Sequence, residues 1–437
     1  MVRMPNGNGD QKRKLKFLFV SIDALIGDLA AAIKKEGHEV RYFIQNADQK
    51  DVCDGFVDKT DTWKDQVDWA DVVIFDDVGF GEEAERLRRA GKHVVGGSTY
   101  TDRLELDREF GQAEMKAMGI TIIPRWNFVS FDEAIEFMRK NPDRYVIKPS
   151  GLAQNEKELL FVGQEDDGRD VIEMLQRYKK NWGRQIKVFQ IQKFISGVEV
   201  AAGAFFNGED FVLPINVNFE HKRMFPGEIG PSTGEMGTLM FWSMRSPIFD
   251  ATLAKMKEKL AASGYVGYID INCIANSRGI YPLEFTARYG YPHISIAMEG
   301  VLSEWGPFLE GIAKKQKPEL RTKRGFQVGV VVAVPPFPFD DPRAFKRYSE
   351  NATIIFKKPL YEGMHLGDVK VVESDWRLAG NSGYALVVTG SGTTVDEARS
   401  VAYNRIRNII IPNMFYRTDI GERWGKDGDR LLMWGYL

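Results

Sequence analysis

Short apolar segments and helical segments alternate along the first quarter of the chain. Four of the apolar segments have the length of strands: 15–20, 39–44, 72–75 and 93–95. Helical periodicity lies between them, at 24–36 and 82–89. Strands that alternate with helices form doubly wound parallel sheets. We therefore predict an N-terminal α/β domain over residues 14–122, which includes a further helix at 105–118. Another helix is predicted beyond this domain, at 131–140.

The middle of the chain has the pattern of antiparallel strands. Asn207-Gly208 joins two apolar segments, 198–206 and 211–217, and this dipeptide favours a tight hairpin turn. A helix is predicted at 247–263. Segments 268–273 and 281–288 alternate apolar and polar residues, so they predict a second hairpin.

The second hairpin carries candidate metal ligands. If its apolar faces coincide, Asp270 and Glu284 project to the same side. A cation stabilises two carboxylates on one face, and Mg²⁺ binds one or two carboxylates together with water and phosphate oxygens. The alternative is a solvent-facing polar side of an antiparallel sheet.

The last quarter of the chain predicts a small mixed α and β domain, which we place at 323–437. Its strands are expected at 326–334, 369–372 and 384–388. A helix is expected at 395–409, where Thr394 and Glu397 have the spacing of a capping box.

A glycine-rich segment, 219–240, links two strands of the middle region. His221, Lys222 and Arg223 precede its four glycines, Gly227, Gly230, Gly234 and Gly237, with Pro231, Ser232 and Thr233 between them. Long loops inside compact domains are usually functional, and glycine lets backbone N–H groups approach an anion. A solvated surface loop is the alternative.

Lys148 ends the predicted strand 145–148, and Pro149 and Gly151 follow it. A lysine at the end of a strand is placed to bind a phosphate as a point charge. The alternative is a solvated strand end.

Composition restricts the function classes. The 437 residues suffice for several domains, and 43% hydrophobic and 27% charged residues are typical of soluble proteins. Since 59 Lys and Arg nearly balance 61 Asp and Glu, a nucleic-acid partner is not expected. The two cysteines, Cys53 and Cys273, exclude a disulfide framework and a four-cysteine zinc site.

The N-terminus does not have the pattern of a signal peptide. Asp23 and Asp28 interrupt the apolar run that follows a basic cluster, and no segment has the ~20 apolar residues of a membrane span. We expect a cytoplasmic protein with a disordered tail over residues 1–13 and no membrane partner. We also expect a monomer or a small homo-oligomer.

Five motifs together resemble one enzyme family. They are YVIKPSGLA, Gly197-Val198-Glu199, EHKRMFPGEIGPSTGEMG, PLEFTARYGYP and FYRTDIG. In this order they resemble glycinamide ribonucleotide synthetase (phosphoribosylamine-glycine ligase), a purine-biosynthesis enzyme of the ATP-grasp superfamily. The resemblance implies a central ATP-grasp fold of two α+β lobes, placed at 123–322. It also implies ATP-dependent joining of an amino acid to an amine through an acyl phosphate.

The resemblance implies roles for particular residues. ATP would be bound by Arg108, Lys148, Gln192, Phe194, Glu199 and His221. Lys222, Arg223 and Arg288 would act as catalytic or substrate-site residues, next to the loop Gly230, Pro231, Ser232, Thr233, Gly234 and Gly237. Glu284 would bind Mg²⁺ or Mn²⁺, with Thr286 at the second family ligand and Asp270 or Asn272 as replacements across the hairpin.

The chain also departs from the family pattern. SIDALIGD replaces the glycine-rich segment after the first strand. The lid, G-L-A-A-G-K-G in the family, is Gly151-Leu152-Ala153-Gln154-Asn155-Glu156-Lys157 here, so its later glycines are lost. Thr286 stands at the metal asparagine, and Gly290-Tyr291-Pro292-His293 replaces G-D-P-E. Two alternatives therefore stay open: a divergent ligase for another amino acid or amine, and a non-catalytic nucleotide-binding scaffold.

Overall fold

The computed structural model describes residues 13–150, 160–182 and 188–437. Residues 1–12 of the predicted tail and the lid segment 151–157 lie outside these residues. So does the first residue of segment 187–194, for which the sequence also predicts a strand. Within the described ranges, none of the helices combines the length and the apolar character that a membrane crossing requires.

The first unit is the predicted parallel α/β domain. Its strands are β1 (Lys16–Ser21), β2 (Glu39–Ile44), β3 (Asp58–Lys59), β4 (Val72–Phe75) and β5 (Val94–Val95), in the order β3-β2-β1-β4-β5. The first helices are α1 (Gly27–Lys35) and α2 (Gly81–Arg89). Phe17 and Phe19 pack in one core with α1, whereas Leu18 and Val20 pack in another with α2. Because helices cover both faces, the sheet is doubly wound, as predicted.

The helix predicted at 105–118 is two helices, α3 (Thr99–Leu106) and α4 (Arg108–Ala117). Asp107 lies between them with an extended backbone, and its Oδ1 accepts a hydrogen bond from the N–H of Phe110 at 3.0 Å. The side chain therefore caps a new helix instead of continuing the first one.

The second unit is a small antiparallel lobe with its own core. Its elements are β6 (Arg125–Phe128), α5 (Phe131–Lys140), β7 (Tyr145–Pro149), β8 (Phe161–Val162), α6 (Arg169–Trp182) and β9 (Phe189–Lys193). The strand order is β6-β9-β7-β8. Apolar residues of α5 and α6, including Ile135, Met138 and Leu175, pack against β7 and β9. We call this unit the small lobe.

The third unit is built around a large sheet. The first part of this unit contains the strands β10 (Val198–Phe206), β11 (Phe211–Glu220), β12 (Arg223–Phe225), β13 (Ile229–Ser232), β14 (Gly237–Ser243), β15 (Gly267–Asn276), β16 (Gly279–Thr286) and β17 (Phe326–Ala333). The helices α7 (Pro247–Ala251), α8 (Lys257–Ala262), α9 (His293–Gly300) and α10 (Trp305–Ala313) accompany them. The helix predicted at 247–263 is interrupted between α7 and α8 by a 3₁₀ turn at Leu253–Met256.

The remaining chain adds strands to the large sheet and also forms a smaller sheet. Its elements are α11 (Pro342–Tyr348), β18 (Thr353–Phe356), β19 (Met364–Leu366), β20 (Val369–Val372), β21 (Asp375–Leu378), β22 (Tyr384–Gly392), α12 (Val395–Ile406), β23 (Ile409–Ile410) and α13 (Trp424–Met433). The large sheet has the order β16-β15-β10-β11-β14-β17-β22-β19. Since β17, β22 and β19 belong to it, the predicted boundary at residue 323 does not separate two sheets. The chain beyond that boundary also forms a smaller sheet, β20-β21-β18-β23.

Candidate active site

One face of the large sheet carries polar side chains in four neighbouring strands. We call it the polar face; its residues are Glu199 of β10, Asn216, Asn218 and Glu220 of β11, Asp270 and Asn272 of β15, and Glu284 and Thr286 of β16. Asp270 pairs directly with Thr286, and Asn272 with Glu284. Directly opposed residues share a face, so this register agrees with the expected projection of Asp270 and Glu284 to one side.

Small residues of β10 leave room for these side chains. Ala201 pairs with Asn272, and Gly203 pairs with Asp270. A Cβ added at Gly203 would lie 2.4 Å from the Cβ of Asp270, closer than carbon atoms can approach. The glycine is therefore required for the buried carboxyl at this position.

Lys222 lies among three carboxylates of the polar face. Its Nζ is 3.0 Å from Glu199 Oε1, 3.1 Å from Glu220 Oε2 and 3.9 Å from Glu284 Oε1. Burial disfavours the ammonium, but the charges of Glu220 and Glu199 outweigh it and raise the pKa of Lys222 well above its ordinary value. Lys222 is therefore a fixed cation at neutral pH.

Lys148 and Arg108 bring two more positive charges to the same crevice. Nη1 of Arg108 donates to the carbonyl oxygen of Pro149, beside Lys148, at 2.9 Å. Arg108 and Glu284 line one narrow cavity between α4 and β16. Burial, and then the charge of Arg108, lower the pKa of Lys148 to about 8, while Glu284 opposes this shift.

The same cations shift the pKa of Glu284. Burial favours its neutral form, but Lys222, Lys148 and Arg108 together hold the pKa of Glu284 below its ordinary value. The carboxylate of Glu284 and the cations of the small lobe and α4 therefore act on each other across one crevice.

The candidate metal ligands are not equivalent. Asp270 is only 2% exposed, and burial, reinforced by the charge of Glu220, raises its pKa well above the ordinary value. Asn272 lies directly opposite Glu284, and its Nδ2 is 3.3 Å from Glu220 Oε1. No cluster of three or more His, Cys, Asp or Glu suited to a metal ion is found in the described ranges. Glu284 with Asn272 nevertheless fits a magnesium ion that nucleotide phosphates also bind, because Mg²⁺ needs few protein ligands.

Two residues predicted to bind ATP, Gln192 and Phe194, lie at the end of β9 and directly after it. Gln192 is buried, and its Oε1 has no hydrogen-bond partner among the described residues. The guanidinium of Arg144 lies 3.6 Å from the centroid of the Phe194 ring and covers that side of it. Lys193 instead pairs with Asp143 at 2.5 Å. Gln192 is thus the residue of this segment that offers an unused acceptor.

The glycine-rich segment is ordered, but it contains a hairpin that the sequence did not predict. The strands β12 and β13 pair around Gly227 and Glu228, which both have positive φ. Arg223 is exposed, and its Nη1 donates to the carbonyl oxygen of Gly230 at 3.0 Å. We call residues 223–232, which include Pro231 and Ser232, the glycine hairpin.

The residue that follows the glycine hairpin, Thr233, contacts the backbone of Lys222. The N–H and Oγ1 of Thr233 both donate to the carbonyl oxygen of Lys222, at 2.8 and 2.9 Å. Gly234 is exposed, and Gly237 begins β14. This return fixes the backbone of Lys222 next to the polar face.

A distant segment, 417–423, supports the glycine hairpin. The side chain of Arg417 is fully buried, and it donates to the carbonyl oxygen of Arg223 and to Oε1 of Glu228, both at 2.8 Å. Asp419 accepts from Arg417 and from the N–H of Gly227 at 3.0 Å. The motif FYRTDIG contains both residues, but the sequence alone assigned them no role because their partners lie almost 200 residues away.

His221, which was predicted to bind ATP, contacts the 417–423 segment in the structure. The imidazole is buried, and its Nε2 accepts a hydrogen bond from the N–H of Gly421 at 3.3 Å. Burial, together with Arg423 and Arg417, lowers the pKa of His221 to about 3. His221 is therefore neutral and supports the glycine hairpin from the side of the 417–423 segment.

Arg288 lies where the polar face meets the N-terminal domain. Its Nε is 3.2 Å from Glu105 Oε1 and 3.5 Å from Asp77 Oδ1. Burial opposes its charge, but Glu105 and Asp77 raise the pKa of Arg288 above its ordinary value. Glu105, Asp77 and Glu220 were not predicted as site residues, since only the tertiary fold brings them to these cations.

Comparison with known protein sequences identifies related ligases. Residues 106–294 match the family model of the phosphoribosylglycinamide synthetase ATP-grasp (A) domain. The phosphoribosylamine-glycine ligase of Streptococcus suis is 27% identical over 346 residues, which cover 77% of this chain and 80% of that protein. The corresponding ligase of Listeria monocytogenes is 25% identical over 353 residues, covering 78% and 80%.

Solved structures share the fold. Phosphoribosylamine-glycine ligase from Thermotoga maritima aligns with a TM-score of 0.70 at 24% identity, over 93% of this chain and 100% of that chain. Biotin carboxylase from Campylobacter jejuni aligns with a TM-score of 0.61 at 11% identity, over 96% and 97%. The resemblance and the fold class predicted from the sequence are thus confirmed: residues 106–294 are similar to the phosphoribosylglycinamide synthetase ATP-grasp domain, and the whole chain shares the fold of the solved ligase.

Proposed function

We propose that this protein is an ATP-dependent ligase that joins a carboxylate to an amine through an acyl phosphate. The observation that carries the proposal is the common crevice in which Lys148, Arg108 and Lys222 face Glu284. Phosphoryl transfer depends mainly on positioning and on neutralising charge, which this set of groups can provide. The related proteins named above are ligases of this type.

ATP would lie between the small lobe and the polar face. The unused acceptor of Gln192 suits the amino group of adenine, and Glu199 suits the ribose hydroxyls. Lys148 and Arg108 suit the phosphates, because both are cations at the mouth of the crevice. Glu284 and Asn272 would hold Mg²⁺ or Mn²⁺, which neutralises phosphate charge when it is bound.

The proposed reaction has two steps, and the charged groups of the crevice assist them. A carboxylate oxygen of the first substrate attacks the γ-phosphorus, and ADP leaves. The nitrogen of the amine attacks the carbonyl carbon of the acyl phosphate, the carbon–oxygen bond breaks, and phosphate and a proton are released. Lys222 neutralises the negative charge that develops in the transition state. Arg288 lies on the side of the crevice where the substrate binds. Arg223 stabilises the glycine hairpin above the crevice through its bond to Gly230.

The substrates implied by this proposal are small molecules, an amino acid and an amine. The balanced composition supports the expectation of no nucleic-acid partner. The cytoplasmic location and the monomeric or small oligomeric state stay predictions.

The proposal is tested by ADP release from MgATP with a panel of amino acids and amines. We expect Glu284→Ala to lower turnover at least about 100-fold while the protein stays folded, because a charge that balances three cations and binds the metal is lost. Glu209→Ala is the matched control, since Glu209 is an exposed residue of the turn between β10 and β11.

Two outcomes contradict the proposal. Retained turnover in Glu284→Ala would place the metal site elsewhere. ATP binding without turnover for every member of the panel would instead favour a nucleotide-binding scaffold.

A further inference from the structure

The parallel sheet of the N-terminal domain has one topological switch point, between β1 and β4. From β1 the chain proceeds to β2 and β3 on one side and then crosses to β4 and β5 on the other. Ligands of such sheets bind outside the carboxyl ends of the strands at the switch point. Ser21 is the last residue of β1, and Asp76 directly follows β4. These two residues therefore lie at the position where a ligand of this sheet is expected.

Asp76 has an unused hydrogen-bonding atom at this point. The residue is 1% exposed, and its Oδ2 accepts a hydrogen bond from Ser21 Oγ. Its Oδ1 has no partner among the described residues. Because a buried acceptor without a donor is unfavourable, a ligand that donates a hydrogen bond to this oxygen would stabilise the site.

The charges around Asp76 are mainly negative. Asp77 is adjacent, Asp23 lies in the turn after β1, and Glu105 approaches from α3. The cation among them is Arg288, and it already pairs with Glu105 and Asp77. Burial and then the charge of Asp77 raise the pKa of Asp76 to about 8. This environment repels a phosphate group and attracts a cation.

The switch point is also next to the proposed ligase site. Oη of Tyr291 donates to the carbonyl oxygen of Asp76 at 3.3 Å. Tyr291 and Arg288 belong to the segment that follows β16, the strand that carries Glu284. A molecule bound at the switch point therefore lies beside the segment that leads to the phosphate crevice.

A metal ion is a weaker candidate than an organic cation. In the parts of the chain that the structure describes, no group of three or more metal-binding side chains is suitably placed. An ammonium group needs no fixed coordination geometry, since it donates up to three hydrogen bonds.

We propose that the acidic edge, defined as Asp23, Asp76 and Asp77, binds the ammonium group of the acceptor amine, and that this acceptor carries a positive charge and no phosphate. The inference rests on the proposed ligase function and specifies the second substrate of that site. It differs from the substrate named for the related phosphoribosylamine-glycine ligases.

The test is calorimetric binding to the full chain without nucleotide. The probes are 2-aminoethanol, 1,3-diaminopropane and 1,4-diaminobutane, with ribose 5-phosphate and magnesium chloride as separate arms. We expect saturable binding of at least one amine and none of ribose 5-phosphate. Asp76→Asn keeps the shape but removes a carboxyl that can ionise beside a bound ammonium, and it should weaken amine binding about tenfold or more.

Asp68→Asn is the matched control, because the Asp68 side chain is 95% exposed and pairs with Lys92 at 2.7 Å. It should bind the amine as the wild type does. The proposal is overturned if none of the three amines binds, or if Asp76→Asn binds the amine as tightly as the wild type. It is also overturned if ribose 5-phosphate binds, or if Mg²⁺ alone displaces the amine.

The two proposals can fail separately. Amine binding is measured without ATP, so a negative result leaves the effect of Glu284→Ala on ADP release unchanged. Conversely, a protein that binds amines at the acidic edge but never releases ADP contradicts the ligase proposal alone.

Discussion

At the scale of a single residue, the pKa of Lys148 predicts how nucleotide binding depends on pH. Its pKa of about 8 reflects burial and the nearby charge of Arg108, partly offset by Glu284. The ammonium is therefore charged below pH 8 and loses its proton above it. A phosphate binds the charged form, so proton loss has to weaken ATP binding.

We predict that ATP affinity falls above pH 8, by up to tenfold per pH unit. Lys148→Arg should flatten this dependence, since a guanidinium stays charged, although its absolute affinity can differ. The measurement is MgATP binding by calorimetry between pH 6.5 and 9.5. Lys140→Arg, an exposed residue of the same lobe, should keep the wild-type profile. An equal slope in wild type and Lys148→Arg would show that another group controls the dependence.

At the scale of one element, the glycine hairpin depends on backbone conformations that few residues adopt. Gly230 has a φ of +84°, and a Cβ there would lie 2.5 Å from the ring of Phe225. Gly234 has no such φ, and a Cβ there would meet no atom within 4 Å. The two glycines therefore form a matched pair in one segment.

We predict that Gly230→Ala lowers the free energy of unfolding of the glycine hairpin by about 1–3 kcal/mol, whereas Gly234→Ala changes it much less. Hydrogen exchange of the amides at 223–232 is the measurement, because it reports local opening. Faster exchange is expected in Gly230→Ala alone. Similar protection in both variants would mean that the segment 417–423, rather than the turn, determines the stability of the hairpin.

The elements predicted well from the sequence are those whose pattern is local. Two-residue alternation predicted the hairpin of β15 and β16 and the shared face of Asp270 and Glu284, because side chains in a strand alternate strictly. The glycine hairpin escaped prediction because its strands have only three and four residues and its partner Arg417 is distant in sequence. The raised pKa of Asp270 arises from burial and from the charge of Glu220, which the sequence does not give.

At the scale of the whole molecule, the N-terminal domain is attached to the large sheet by a buried carboxylate. Oδ1 of Asp28, on α1, accepts from the N–H of Leu366 at 3.0 Å. Oδ2 accepts from Ser295 Oγ at 3.0 Å and lies 2.8 Å from Nδ1 of His365. One side chain thus connects α1 with α9 and β19. The small lobe, by contrast, has a separate hydrophobic core.

This arrangement predicts how the molecule unfolds. Asp28→Ala removes the acceptor shared by three buried donors, and we expect the free energy of unfolding to fall by about 3 kcal/mol or more. We also expect the N-terminal domain to unfold before the large sheet, so that circular dichroism and tryptophan fluorescence give separate urea transitions. Asp58→Ala is the control. It removes an exposed ion-pair partner of Lys34, which lies on α1 as Asp28 does, and it should change the free energy of unfolding by less than about 0.5 kcal/mol. If Asp28→Ala behaves like this control, packing between the hydrophobic surfaces, rather than Asp28, holds the N-terminal domain in position next to the polar face. The acidic edge would then keep its place beside the crevice without this carboxylate.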